Sequence, residues 1–535
     1  MSRLLSRVAS LLGEASSVTV VAPDDRDLGA LEAPGRVLRV QRPRARALAL
    51  HDDLTGLGHA DAVVDLARGP GAADRLGVLA AHVRRGGLVV VAVPRRPEAR
   101  DPLLALVDDL RSLRAGGLEA PSRRRDPRPS PVRDRHALAA TLEVLELDDA
   151  LLVARMAVET WSVLPEARAD DVLAATPGLG EVVTSRPAER RTTSARLRSS
   201  WADEAPLPEH DAPHLSLRSY DDVVVTPRMI AHARDVVLPQ AFRNTEHKRP
   251  RTPPLTDWTR WSVRVPAELG ADGPPPTRLP GTWFHADNLM RGHFGHAITE
   301  QVSQLWAWPE VLARHPDAGV LVSAAAKPVA TWELDLLEAA GVPRERVHAA
   351  PGPVRVDRLL AATPGYVILR HVHPSLRDLY AATGAALEQQ SGLESTPRRV
   401  FVTRPGGKRR CHEAAEVEAL FAAHGYTVLA PEEHPLPDQV AIVRGAEAVA
   451  GYGGSGMFHL LLGGPPRPVV VVSHTGYHVW NEKAIAALWD HEITVVRGVP
   501  DLVTEGFSEK AMHSDYHLDL DGPAGRLLRE ALAAL

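Results

Sequence analysis

Thiols are almost absent from this chain. Cys411 is the one cysteine in 535 residues, which excludes an intramolecular disulfide framework and any cysteine-built structural zinc site. There is no basic excess either. With 62 Lys and Arg against 67 Asp and Glu the formal charge is −5, so nothing is available to neutralise a long run of phosphates, and a wholesale nucleic-acid binder is excluded. No apolar run approaches the ~18 residues that span a bilayer; runs such as Leu88–Val93 and Val469–Val472 have strand length. Lysine is scarce as well: Lys248, Lys327, Lys408, Lys483 and Lys510 are all there are among the 62 basic residues. That bias towards arginine, with abundant Ala, Gly and Pro, is the mark of a GC-rich coding sequence. A lone arginine is therefore weak evidence for an anion site, and only arginines in a specific local context count.

What remains is ordinary for a globular protein. A hydrophobic fraction of 44% and a charged fraction of 24% exclude disorder across the whole chain, and the length argues for two to four domains. Near the N-terminus Leu4, Leu5, Val8, Leu11 and Leu12 fall on one helical face. Without an uninterrupted apolar stretch or a cleavage site this reads as a packed amphipathic helix, with a membrane-surface helix as the alternative. A cytoplasmic location is expected.

Residues 1–120 read as alternating strands and helices. Val18–Ala22 and Ala60–Leu66 are short β-rich runs, Ala72–Arg85 has helical periodicity, and Gly86–Gly87 breaks it before the strand Leu88–Val93; strand, helix and strand in that order predict a parallel βαβ unit. This part resembles the later half of a methyltransferase-like Rossmann fold, ending in an edge strand. The glycine-rich loop that would hold S-adenosylmethionine is missing after Ala22, so a structural or recognition domain is expected. Residues 121–215 form a Pro- and Arg-rich linker and helical region: Pro121–Arg135 cannot sustain a helix or central strand, and Ala137–Val163 carries a mostly helical pattern. A strand is expected at Asp222–Thr226, and Arg249–Pro280 is a further Pro-rich loop.

Two clusters carry chemistry. In the first, His293 and His296 stand at the start of a helix with Glu300 four residues after His296, a spacing that puts His296 and Glu300 on one face. Such a pair could hold an acceptor hydroxyl and take its proton; it also suits a partly buried structural hydrogen bond. A third ligand is missing, so no metal site is expected here. Trp306 and Trp308 read as core residues of the same helix.

The second cluster begins with the strand Arg399–Thr403 and continues through Arg404, Lys408, Arg409 and Arg410. A helix over Glu413–His424, a strand over Tyr426–Leu429 and a short strand over Ala448–Ala450 follow. Then Gly451-Tyr-Gly-Gly-Ser-Gly456 opens a short apolar helix, Met457–Leu462. Strand, glycine-rich turn and helix point backbone N–H groups and a positive helix end at an anion, and the arginines of a neighbouring strand could converge on the same diphosphate. Gly451, Gly453 and Gly456 also satisfy G-x-G-x-x-G. A dinucleotide site, however, needs a longer helix and an acid at the end of the next strand, where Ser473-His474-Thr475 stands instead.

Taken together, His293-Phe-Gly-His296 with Glu300, Val402-Thr-Arg404 with Arg410 and Glu413, Pro437-Asp-Gln439, and Ala446 to Gly456 resemble glycosyltransferase family 61, the bacterial capsular polysaccharide biosynthesis type. The resemblance covers roughly residues 216–496. It implies an α/β fold with a GT-B-like pair of Rossmann-type lobes, here 216–395 on the acceptor side and 396–535 on the donor side, behind the N-terminal Rossmann-like domain. It also implies a nucleoside-diphosphate sugar as donor, a glycan or glycolipid acceptor with a peripheral membrane association, inversion at the anomeric carbon, and no required cofactor or metal. The chain departs from the family at His412, at Tyr452 and Gly453, and at Met457-Phe458-His459, which keeps open a degenerate sugar-nucleotide-binding scaffold. A methyltransferase or dehydrogenase is the remaining alternative.

On this reading His296 or Glu300 is the catalytic base. Arg404, Arg409 and Arg410, with backbone donors from Gly454, Ser455 and Gly456, bind the donor diphosphate. His293, Glu413, His459 and His474 are candidate sugar or nucleotide contacts, and for Glu413 capping its own helix is the alternative. Tyr477 and Trp480 suit stacking or core packing.

Overall fold

The structure is a computed structural model that describes residues 2–23, 28–44, 47–117, 130–164, 166–176, 178–226, 231–234, 236–241, 264–266, 275–288, 290–324, 328–504 and 508–534. The Pro-rich stretches read at Pro121–Arg135 and Arg249–Pro280 lie largely outside them. The chain is mixed α/β and divides into two compact units, one of residues 1–183, 218–282 and 350–359, the other of 184–217, 283–349 and 360–535. No helix among the described residues is long and apolar enough to cross a membrane.

The first unit is built on a six-stranded sheet in the order Val37–Gln41, Ser17–Val21, Ala60–Asp65, Val83–Ala92, Leu151–Met156, Leu142–Leu147. The first four strands run parallel and the last two join antiparallel. Both faces are covered, and the side-chain alternation shows it. Val63, Val89 and Val91 pack with the helices Ala72–Ala80 and Pro97–Ala115, whereas Ala62, Val64 and Val90 pack with the N-terminal helix Ser2–Leu12. A sheet buried on both sides reads as continuous apolar runs, as these strands do. Leu4, Leu5, Val8 and Leu12 are buried, so the amphipathic face of the first helix is a packing face.

Three sequence expectations fail here. Gly86–Gly87 do not end a helix before a strand: the strand runs from Val83 through both. Gly87 lies so close to its neighbour that a Cβ there would fall 2.4 Å from the Asp61 carbonyl. That strand is not an edge, because Leu151–Met156 covers its far side. The helical pattern read over Ala137–Val163 stops at Thr141, and the rest is three strands. Val, Leu and Thr at those positions favour the half-buried pleated surface offered by the open sheet edge. The helix itself starts at Ser130, inside the stretch read as a linker, with Pro131 early in its first turn, where a missing N–H costs nothing.

Among the described residues His51, His59 and His82 are buried in this unit. His51 Nδ1 meets His82 Nε2 at 2.9 Å and its Nε2 meets the Val163 carbonyl at 2.8 Å, while His59 Nε2 meets Ser162 Oγ at 2.8 Å. Burial pushes His51 down to about 4, and His82 falls well below its ordinary value for the same reason.

The second unit holds a seven-stranded sheet in the order Arg196–Ser199, Glu492–Pro500, Pro468–His474, Ala448–Tyr452, Arg399–Val402, Thr427–Leu429. Tyr516–His517 is added antiparallel beside Glu492–Pro500, and every other pairing is parallel. Numbered along the chain from Arg399, the five parallel strands stand in the order 2-1-3-4-5. Connections from strands 1 and 3 therefore leave in opposite directions, and a crevice opens between their carboxyl ends. Register places Val402 beside Gly451 and Gly451 beside Val471, so the loops after Val402 and Tyr452 emerge side by side. Beneath them Phe401, Phe421 and Tyr452 form an aromatic cluster, with Phe401 4.5 Å from Phe421 and 5.1 Å from Tyr452, centre to centre.

Candidate functional site

The crevice is the mouth of a cavity of about 960 Å³ within the second unit. One wall comes from the loops following Val402 and Tyr452; the other comes from Gly292–His296 and from the start of the helix Thr331–Ala339. His296 is thus brought opposite residues more than a hundred positions away. The two walls meet closely. A Cβ on Gly295 would fall 3.0 Å from Ser455 Cβ and 3.1 Å from Phe458 Cε2, and Phe294 stacks on His459 with ring centres 4.5 Å apart.

On the sheet side Arg404 and Arg409 rest against the Gly454 peptide. Gly454 has φ 142°, a conformation that L side chains avoid, and a Cβ there would fall 1.9 Å from Arg404 Nη2 and 2.9 Å from Arg409 Nη2. Arg404 donates to the Gly453 carbonyl at 3.2 Å and to the Lys408 carbonyl at 3.1 Å. Gly407 at φ 93° and Arg409 at φ 62° fold the loop back on itself, which lays the Arg409 guanidinium 4.2 Å over the ring of Tyr477. Arg409 Nε is buried with no acceptor. Burial, and then the neighbouring charge of Arg409, push the Arg404 guanidinium below its ordinary value. Two guanidinium groups held together, one with an unused donor, make a wall that an anion would relieve.

One expectation is corrected at this point. The Gly454 amide is not offered to the cavity: it donates to Glu482 Oε1 at 2.6 Å. Glu482 is buried, its carboxyl is pushed up by that burial, and it also accepts from the Tyr477 hydroxyl at 3.3 Å. Ser455 and Gly456 do line the cavity and open the short helix Ser455–Leu462, whose first-turn amides have no acceptor within the helix.

Across the cavity the helical run from Phe294 contains a π-turn over Ala297–Gln301, an irregularity frequent at functional sites. His296 Nδ1 and Glu300 Oε1 are 2.9 Å apart, so the pair read from the spacing is formed. His296 lines the cavity and Glu300 does not. The carboxylate, off the cavity, holds the ring at Nδ1. His293 lines the cavity with its ring centre 4.7 Å from that of His296.

The remaining candidates separate. His459 lines the cavity, held between the Gly456 carbonyl and Gln439 Oε1, each at 2.8 Å, and burial pushes it down to about 4. Arg410 makes an exposed double contact with Asp515, at 2.9 and 2.7 Å, and does not line the cavity that Arg404 and Arg409 share with His296. Glu413 makes no side-chain cap to its helix; it accepts from the Leu518 amide and meets His517 Nδ1, both at 2.7 Å. His474 is fully buried beside Tyr516, ring centres 5.2 Å apart, and lies outside the cavity lining. Trp306 and Trp308 are core residues, their indole nitrogens donating to the Thr363 and Gly341 carbonyls. Trp332, Asn481 and His513, which line the cavity, and Glu482, buried behind Gly454, were missed, because none sits in a motif and only the folded chain brings them together.

Comparison with known proteins bears on this region. Residues 294–471 match the family profile described as Glycosyltransferase 61. No curated protein matches the chain. Among solved structures, the MycE methyltransferase of mycinamycin biosynthesis is similar at 14% identity and a TM-score of 0.21, over 29% of this chain and 48% of that one. An O-methyltransferase family protein from Burkholderia thailandensis is similar at 16% identity and a TM-score of 0.19, over 29% and 56%. A Haemonchus contortus N-methyltransferase shows 8% identity and a TM-score of 0.15, over 99% and 82%. The chain spans about half the length of the first two, and at these TM-scores the likenesses carry no argument. The profile match takes in His296, Glu300, Arg404, Arg409 and the turn up to Gly456, and residues 294–471 are a glycosyltransferase family 61 domain.

Proposed function

We propose that the chain transfers a sugar, with inversion, from a nucleoside-diphosphate sugar to a hydroxyl of a glycan or glycolipid in cell-surface or capsular polysaccharide synthesis, at a cytoplasmic site. One observation carries this reading: Arg404, Arg409, Ser455 and Gly456 line the same cavity as His296. An anion-binding wall at the carboxyl edge of a parallel sheet thus stands across from a general base. In the proposed GT-B-like arrangement residues 396–535 are the donor lobe, and the wall at Gly292–His296 belongs to the acceptor side.

The chemistry follows from the geometry. The acceptor oxygen attacks the anomeric carbon as the bond from that carbon to the diphosphate oxygen breaks. The hydroxyl proton passes to His296 Nε2, and Glu300 steadies the imidazolium through Nδ1–H. Arg404 and Arg409 take up the charge that develops on the leaving diphosphate, an interaction stronger in the transition state than in the ground state. Neither a metal nor a cofactor is needed for this scheme.

The test is a hydrolysis and transfer screen of the purified chain against UDP-, GDP-, CDP- and dTDP-sugars. Release of a nucleoside diphosphate from one of them supports the reading. Tight binding without turnover identifies a non-catalytic sugar-nucleotide binder, and absence of both removes the proposal.

A further inference from the structure

Away from the cavity, three segments of the second unit meet on the surface around Tyr516. The Cys411 and Tyr516 backbones form a parallel bridge. The His412 amide donates to the Tyr516 carbonyl and the Tyr516 amide to the Arg410 carbonyl, both at 3.0 Å. Val499 pairs with His517 in an antiparallel ladder, and the Asp501 amide donates to the Asp515 carbonyl at 2.8 Å. Backbone pairing therefore sets the positions of His412, Asp501 and His517, three residues that no sequence motif connects.

Their side chains converge. His412 Nε2 lies 3.1 and 3.0 Å from the two carboxylate oxygens of Asp501, and the His412 and His517 rings stack with centres 4.1 Å apart. One ligand atom from each of the three residues lies within 4.8 Å of the others. Glu413 meets His517 Nδ1 at 2.7 Å, which leaves the other ring nitrogen with its lone pair. Metal-bound histidines are commonly steadied in that way by a carboxylate on the far nitrogen. The guanidinium of Arg410, two residues before His412, is paired with Asp515. Cys411 takes no part: its thiol is buried and pushed up to about 11 by that burial.

We propose that His412, Asp501 and His517 bind a divalent transition-metal ion, zinc being the best fit, with water completing the shell. Two imidazoles and a carboxylate are a zinc ligand set, and tetrahedral zinc at about 2.1 Å from each ligand needs ligand atoms about 3.4 Å apart. The His412–Asp501 contact is already near that spacing, and binding turns the exposed His517 ring out of its stack with His412 so that both in-plane lone pairs meet the ion. The ion would act as a clip, tying the end of the Arg404–Arg410 loop to the strand Tyr516–His517 and to the turn at Asp501.

Calorimetric titration of the full chain with zinc chloride, after chelator treatment and dialysis, tests the assignment. The expected result is one ion per chain, a Tm that rises with zinc, at least tenfold weaker binding in Asp501→Asn, and loss of both signals in His412→Ala/His517→Ala. All three side chains are exposed, so the variants are expected to fold, and circular dichroism checks that. No zinc binding by the unsubstituted chain, or binding and stabilisation that survive the double variant, overturns the assignment. The result is independent of glycosyl transfer, so failure here leaves that reading untouched.

Discussion

Arg404 packs its guanidinium directly on the Gly454 peptide, so closely that a Cβ on that glycine would fall 1.9 Å from Nη2. The two residues follow neighbouring strands of one parallel sheet, so a side chain at position 454 would meet the Arg404 guanidinium. Gly454→Ala is therefore expected to force Arg404 out of the cavity wall and to strain a backbone held at φ 142°. Nucleoside-diphosphate affinity measured by calorimetry should fall at least tenfold. An unchanged affinity would show that the arginine position is irrelevant to binding.

The arginines are expected to separate by location. Arg404→Ala and Arg409→Ala each remove a charge-assisted contact worth about 1.5–3 kcal/mol, or roughly 10- to 150-fold in nucleotide affinity. Arg410→Ala breaks an exposed pair with Asp515 and should change affinity less than threefold, since such pairs contribute little. Equal losses in all three would place the diphosphate elsewhere along the loop.

His296 and Glu300 should differ in kind. His296→Ala removes the group that faces the cavity, with an expected fall in kcat of about 10²–10⁴ and little change in donor KM. Glu300→Gln keeps a side chain in reach of Nδ1 but removes the charge that stabilises the imidazolium. A smaller loss in kcat than for His296→Ala is expected. A larger effect from Glu300→Gln than from His296→Ala would reverse the two roles.

The buried histidines of the first unit predict acid sensitivity. His51 is pushed down to about 4 by burial, and His82 lies well below its ordinary value, so both stay neutral in the folded chain while the unfolded chain takes up protons near pH 6.5. The unfolded state then binds more protons, and stability falls as pH drops from about 6.5 towards 4, by up to about 1.4 kcal/mol per pH unit for each group. Urea melts from pH 7 to 4.5, followed by circular dichroism, are expected to show His82→Gln flattening this slope.

Chemistry-bearing residues that are close in sequence were legible in advance. The His296–Glu300 pair depends on helical spacing, and the π-turn did not undo it, because the intervening backbone still brings the fifth residue onto the same face. The glycine turn before Met457 was legible as an anion-facing turn because strand, glycines and apolar helix follow one another locally. What misled was also local. A Pro-rich stretch hid a helix start at Ser130, and the pattern over Ala137–Val163 suited either element until an open sheet edge selected strands.

The sequence alone marked the strands Arg399–Thr403, Tyr426–Leu429 and Ala448–Ala450, the glycine-rich turn, the loop that carries the arginines, and the family those motifs point to, but not the strands Arg196–Ser199 and Glu492–Pro500 of the same sheet. Tertiary structure decided which of these side chains face one space. Strand order 2-1-3-4-5 set the loops after Val402 and Tyr452 side by side, while buried Glu482 took the Gly454 amide and Asp515 drew Arg410 away. Each outcome turns on a partner tens of residues away in the chain or more. No local pattern encodes such a partner, because pairing across a sheet depends on the register and order of whole strands.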